Sequence, residues 1–232
     1  MGAPRLTWDG YATQWAAAHG GFDPRRASAV VQVWLRIGYG LGRVLASVRI
    51  NPNTITVAGL LFNLAVPVTA ARGGGWPLTG AVLVVIAAMA DTVDGAVAIV
   101  SERTSTLGSL YDTLADRAAE LCWLTAFWLM GTPMWLLVLC GAVAWLHEYV
   151  RARMATLGLS GTASVTVGEW MGRVCVTVVA LILGGLIGVV NSGVAAGAVT
   201  IAAVVWLFLG VFGLSQLLAG IRKSVRRDAS EG

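Results

Sequence analysis

Apolar residues run along this chain in long blocks, set apart by short polar or Gly/Pro-bearing breaks, and those breaks predict the elements. Between residues 27 and 47, Val30, Trp34, Ile37, Leu41 and Val44 recur at three- and four-residue steps, with Arg36 and Arg43 off that stripe. The pattern predicts an amphipathic helix lying in a bilayer interface with its basic residues toward anionic headgroups, or a helix packed on the protein's own core. Asn51-Pro52-Asn53-Thr54 reads as a helix start, with Asn53 or Thr54 as the cap. Apolar spans are then expected at about residues 55–71, 76–100 and 106–130, and from Pro133 to near Tyr149. The breaks between them are Gly73-Gly74-Gly75, Ser101 to Ser105 with Thr104 or Ser105 as N-cap, and Gly131-Thr132-Pro133. A polar loop from Arg151 to about Glu169 leads to a fifth span ending near Val190, and Asn191-Ser192-Gly193 turns into a sixth over about 195–220.

Composition turns these blocks into membrane spans. The chain has 232 residues, 57% hydrophobic and 12% charged, with a mean hydropathy of +0.76. A soluble domain carries about 25% charged residues, and about 20 apolar residues cross a bilayer. The expected fold is an all-α integral membrane protein with six transmembrane helices, preceded by the N-terminal amphipathic interfacial helix. Its expected divisions are a partly ordered cytosolic segment over residues 1–27, a membrane domain over 28–222 and a basic, polar cytosolic tail over 223–232. Residues 1–27 hold no apolar stretch of the signal-peptide kind, so no signal peptide is expected. Cys122, Cys140 and Cys175 fall inside spans without metal-site spacing and read as buried thiols. Trp76, Trp135 and Trp170 fall near span ends, where interface anchors sit.

Charge placement sets the orientation. With both termini inside, the cytosolic side receives the N-terminal arginines, Arg103, Arg151, Arg153, Arg173 and the tail, while the opposite side receives Arg72. The expected location is the cell (inner or plasma) membrane, with the 101–105 turn opening to the cytosol.

That turn joins the two segments that carry the chemistry. Asp91 and Asp94 are three residues apart and Asp112 and Asp116 four apart, so each pair shares a helix face. Folding the two helices against each other about the turn brings four carboxylates together. They repel one another and cannot all be buried ionised without a positive partner, and the one nearby Arg117 cannot neutralise four. Hard oxygen ligands favour Mg²⁺, Mn²⁺ or Ca²⁺. Ionisable groups in a membrane are costly and mark functional sites, so this cluster is the candidate active site. Gly95 and Gly108 stand beside these carboxylates, where a missing side chain admits a ligand to the backbone.

The spacing D-x2-D-G-x2-A-x-x8-G-x3-D-x3-D, carried by Asp91, Asp94, Gly95, Ala98, Gly108, Asp112 and Asp116, resembles the signature of the CDP-alcohol phosphotransferases. Pro52-Asn53-Thr54-Ile55-Thr56 and Glu148-Tyr149-Val150-Arg151-Ala152-Arg153 resemble that family's segments opening the first span and closing the fourth. The resemblance implies a metal-dependent membrane phospholipid synthase. It would transfer a substituted phosphate from a CDP-alcohol, commonly CDP-diacylglycerol, to an alcohol acceptor and release CMP. It implies two divalent ions, Mg²⁺ or Mn²⁺, with Asp91, Asp94 and Asp112 as ligands and Asp116 as shared ligand and general base. It places Asn53 to Thr56, Gly95, Ser105 and Gly108 at the nucleotide. A homodimer follows from the same resemblance, and no nucleic-acid partner is expected. The family's arginine after the alanine is Ile99 here, with Arg103 one turn on.

On the acceptor side the resemblance points to Arg151, Arg153 and Arg173, arginines suited to the phosphate of glycerol phosphate or inositol phosphate. Positive-inside anchoring explains the same residues equally well. The family's E-R-x-x-R is Glu169-Trp170-Met171-Gly172-Arg173 here, with Trp170 in place of the first arginine, and His147 reads as an interface residue. Two other readings compete. An aspartate-rich membrane prenyltransferase would also hold a diphosphate through Mg²⁺, but its carboxylates are expected on separated helix pairs. A catalytically impaired lipid- or nucleotide-binding relative, or a cation carrier, is the non-enzymatic alternative, and Ile99 is the residue that favours the impaired relative.

Overall fold

A computed structural model describes residues 6–18, 21–157 and 167–231, with the side chains of 167–170 and 224–231 left aside. The middle of the polar loop, residues 158–166, and the Glu169-Trp170 side chains therefore lie outside the described residues. All regular structure among the described residues is helical: α1 (Trp8–Ala18), a 3₁₀ turn (Pro24–Arg26), α2 (Ala29–Ser47), α3 (Pro52–Ala71), α4 (Trp76–Val100), α5 (Thr106–Leu129), α6 (Met134–Thr156), α7 (Val167–Gly188) and α8 (Ser192–Glu231).

Among the described residues, four helices are long and apolar enough to cross a membrane: Pro52–Ala71, Trp76–Val100, Met171–Gly188 and Ser192–Lys223. Large apolar side chains stand exposed along them, among them Val57, Leu61, Val82, Leu186, Ile201 and Phe208, a surface that hydrocarbon rather than water covers. The chain is an all-α membrane protein. The third and fourth expected spans are also helices, α5 and α6, but Asp112, Asp116, Arg117 and Glu120 on one and Glu148, Arg151 and Arg153 on the other lower their apolar character.

Helix ends follow from capping chemistry. Asn51, not Asn53 or Thr54, caps α3: its Oδ1 accepts the Asn53 N–H at 3.1 Å and its carbonyl the Thr54 N–H at 3.0 Å. The reason is Pro52, which opens the helix at its first position, where no N–H is needed. Helices α2, α4 and α5 end alike. The N–H groups of Ile50, Arg103 and Thr132 reach back to the carbonyls of Leu45, Ala98 and Phe127 at 3.1, 2.9 and 3.0 Å. The left-handed residue that closes this motif is Arg49 (φ 62°), Glu102 (φ 54°) and Gly131 (φ 101°) respectively. At the first two positions a side chain is accepted at a cost of about 1–2 kcal/mol.

The described residues group into two compact units, Met1–Ala65 with Leu83–Ala119, and Val66–Val82 with Glu120–Gly232. In the first, α2 lies directly on α4. A Cβ on Gly38 would stand 2.6 Å from Thr92 Cγ2, and one on Gly42 2.7 Å from Ala96 Cβ and 3.2 Å from its carbonyl carbon. The Trp34 indole N–H donates to Thr92 Oγ1 at 2.8 Å across the same seam. The buried face of α2 is thus Leu35, Gly38, Tyr39 and Gly42, while Val30, Ile37, Leu41 and Val44 of the apolar stripe remain exposed. The segment read as a partly ordered lead-in carries α1, which packs Tyr11 against Tyr39 with ring centres 5.0 Å apart, and Trp8 against Tyr39 at 5.7 Å. Arg36 and Arg43, expected to face headgroups, lie over the rings of Trp8 and Tyr39 at 5.2 and 5.5 Å.

The second unit is built around Trp206 of α8, whose ring meets Trp123 and Phe127 of α5 edge-on at 6.1 Å each. Cys122 and Cys140 are buried, but Cys175 is exposed, because its position on α7 falls off the packed face that holds Val174 and Leu181. The backbone of α8 continues as helix through the basic segment expected to form a separate tail.

The close seam between α2 and α4 yields a test. Gly42→Ala should destabilise the protein by about 1–3 kcal/mol through overpacking. A lower thermal midpoint in detergent would report it, and Gly40→Ala, whose Cβ meets nothing within 4 Å, should not lower it.

Candidate active site

The site lies within the first unit, on α4, α5 and the start of α3. Helix α4 carries Asp91 and Asp94 and closes in the left-handed turn at Glu102; Ser105 then starts α5, its Oγ accepting the Gly108 N–H at 3.0 Å. Folding back through this turn sets α5 beside α4. Ligand oxygens of Asp91, Asp94 and Asp112 come within 4.8 Å of one another. Asp94 is 5% exposed, and Asp91 and Asp112 are half-buried. Asp116 lies one turn further along α5 from Asp112, and the group of three is made without it.

The donor set fits a divalent cation. Asp112 Oδ1 is buried without a hydrogen-bond partner among the described residues. Carboxylate oxygens this close are hard ligands of the kind Mg²⁺ or Mn²⁺ prefers. The Thr56 hydroxyl of α3 donates to Asp94 Oδ2 in a short hydrogen bond, fixing that carboxylate from behind.

The other expected site residues separate into distinct placements. A Cβ on Gly95 would meet nothing within 4 Å, so the face beside Asp94 is open. A Cβ on Gly108 would lie 3.0 Å from Ser105 Oγ and 3.6 Å from Asn53 Oδ1, which brings the first turns of α3 and α5 together. Thr56 stands apart from these three, on Asp94. Ile99 is 7% exposed in the core of the unit, and Arg103 is exposed in the turn.

The three acceptor candidates belong to the second unit. Arg151 Nη2 bonds both carboxylate oxygens of Glu148 at 2.7 Å, one turn back on α6. Arg153 is exposed. Arg173 on α7 pairs with Glu120 of α5, Nη1 to Oε1 at 2.9 Å. His147 is buried in the same unit rather than at an interface. The sequence reading passed over Glu120 and the hydroxyl of Thr56 as a support for Asp94. Its available signal for Glu120 was the spacing Asp112, Asp116, Glu120, three acids at four-residue steps on one helix.

The family model described as CDP-alcohol phosphatidyltransferase matches residues 49–212. This protein belongs to the CDP-alcohol phosphatidyltransferase family. Among curated proteins it is similar to the archaetidylinositol phosphate synthase of Pyrococcus horikoshii, 28% identical over 143 residues, covering 60% of this chain and 73% of that protein. It is also similar to the archaetidylinositol phosphate synthase of Aeropyrum pernix, 28% identical over 129 residues, covering 53% of this chain and 63% of the relative.

The Thr56 contact is testable in isolation. Thr56→Val keeps the side-chain shape and removes the donor, and should weaken Mn²⁺ binding by about tenfold or more. Calorimetric titration of purified protein with Mn²⁺ checks this; an unchanged affinity would remove Thr56 from the support of Asp94.

Proposed function

We propose that this protein is a phospholipid synthase that transfers a phosphatidyl group from CDP-diacylglycerol, or a similar CDP-alcohol, to the hydroxyl of a phosphorylated alcohol. The observation that carries the proposal is the set of three carboxylates, Asp91, Asp94 and Asp112, within 4.8 Å in a membrane chain of this family. Two relatives named archaetidylinositol phosphate synthases favour inositol phosphate as acceptor over glycerol phosphate.

In this reading Asp91, Asp94 and Asp112 would hold one divalent ion, Mg²⁺ or Mn²⁺, and Asp116 would share a second. An ion bound there would offset negative charge on the diphosphate and on the departing CMP. Thr56 keeps Asp94 oriented as a ligand. Gly95 leaves room for the nucleotide beside Asp94, while Asn53, Ser105 and Gly108 line the adjoining helix starts. Those starts, at α3 and α5, direct backbone N–H groups and positive dipole ends to one place, which suits phosphate. They supply positive potential where Ile99 replaces the family arginine. Asp116 accepts the proton of the acceptor hydroxyl as its oxygen bonds to the phosphatidyl phosphorus and the bond to CMP breaks. Arg151, Arg153 and Arg173 bind the acceptor phosphate.

Six helices, α3 to α8, cross the membrane in this reading, with the exposed apolar stripe of α2 in the interface. The site and both termini face the cytosolic side of the cell membrane, and two chains form a homodimer, which cross-linking in intact membranes tests.

The decisive experiment is CMP release from CDP-diacylglycerol by purified protein with Mg²⁺ or Mn²⁺, across inositol phosphate, glycerol phosphate, inositol, serine and no acceptor. Acceptor-dependent release is expected with the phosphorylated acceptors, lost on chelation of the metal. It should fall about 10²- to 10⁴-fold in Asp116→Asn through loss of the general base. Binding of donor and metal without turnover on any acceptor would point to the impaired relative instead. Turnover of a prenyl diphosphate in place of the CDP-lipid would overturn the class.

A further inference from the structure

We infer that Glu120 is a positioning residue for the acceptor side, holding the Arg173 guanidinium in the orientation in which it meets a phosphomonoester. The inference rests on the acceptor role proposed for Arg173 and deepens it.

Glu120 and Arg173 come from different helices, α5 and α7, and meet at 2.9 Å with side chains 3% and 13% exposed. Two ionised groups removed this far from water in a membrane protein carry a large desolvation cost, and their attraction offsets it without exceeding what apolar packing would supply. Helix cohesion alone therefore does not account for the pair. Arg173 differs in this from the other two candidates. Arg151 is held by a carboxylate of its own helix with its side chain 42% exposed, and Arg153 is exposed. Among the three, Arg173 alone is held by a nearly buried carboxylate from another helix. The backbone at Arg173 is fixed as well, since its carbonyl accepts the hydroxyl of fully buried Thr177 at 2.8 Å. A guanidinium presents five donors in a planar fork, more than one carboxylate accepts, so one arginine can meet an acid and an anionic ligand together.

The test uses the full chain in detergent and separates acceptor from donor. Glu120→Gln should raise the KM for inositol phosphate, and its calorimetric Kd, by about tenfold, while the KM for CDP-diacylglycerol stays within about twofold. Glu120→Asp, which keeps the charge, should recover part of the loss. Arg173→Lys, which keeps charge but not the fork, should weaken the acceptor without displacing the donor. A lower thermal midpoint with an unchanged acceptor KM in Glu120→Gln would make the pair a helix clamp and overturn the inference. Should Glu120→Gln not fold, Glu120→Asp carries the same split, and a KM for acceptor equal to wild type there overturns it. If wild-type protein neither binds inositol phosphate or glycerol phosphate nor releases CMP in response to them, the acceptor reading fails first and Glu120 falls with it.

Discussion

Mutual repulsion of buried carboxylates is the constraint around which this structure is arranged. Asp91, Asp94 and Asp112 would each cost free energy in isolation at this depth, and together they cost more, since each charge opposes the others in a medium that screens poorly. Only a divalent cation or protonation relieves that. The fold holds the three oxygens in place through two long helices and a five-residue turn whose left-handed residue is glutamate rather than glycine. A cluster kept together against its own repulsion is preorganised for a cation, which is the condition for metal-assisted phosphoryl transfer.

Rigidity behind the site comes from close packing rather than from bulk. Gly38 and Gly42 let α2 approach α4 until Thr92 and Ala96 fill the space their side chains would take, and the Trp34 N–H completes the seam. Small residues serve this purpose between helices in membranes, where burial of apolar surface contributes little and contact distance decides. Thr92 and Ala96 belong to the helix that carries Asp91 and Asp94, so the helix read as interfacial also braces the stretch that bears these aspartates. The aromatic group of Trp8, Tyr11 and Tyr39 fixes α1 onto α2 in turn.

Much of this was legible in the chain. The aspartate spacing at three and four residues forces the pairs onto helix faces whatever the rest of the fold does, and the 101–105 break can only turn them toward each other. Proline and glycine marked the breaks at Pro52, Gly73 to Gly75 and Gly131. The cap of α3 lies at Asn51, two or three residues before the expected Asn53 or Thr54, because Pro52 needs no N–H and opens the helix itself. The α1 helix went unnoticed because its partners, Tyr11 and Tyr39, are far apart in sequence and polar-tipped, and no periodicity announces such a cluster. Cys175 looked buried by its neighbours' hydropathy, but an apolar helix in a membrane faces both protein and lipid, and composition does not separate the two.

What the sequence by itself determined was the class of molecule and which aspartates share helix faces. Both follow from local rules, the length of apolar runs and the periodicity of a helix, which hold before any tertiary contact forms. The tertiary structure alone decided which carboxylates gather first, setting Asp91, Asp94 and Asp112 together with Asp116 a turn away. It alone joined Thr56 to Asp94 and Glu120 to Arg173. Those pairs span 38 and 53 positions of chain, and no local pattern encodes a partner at that distance. Such pairs depend on how helices dock, and docking is set by the shapes of small residues facing one another, which a one-dimensional pattern of polar and apolar positions does not carry.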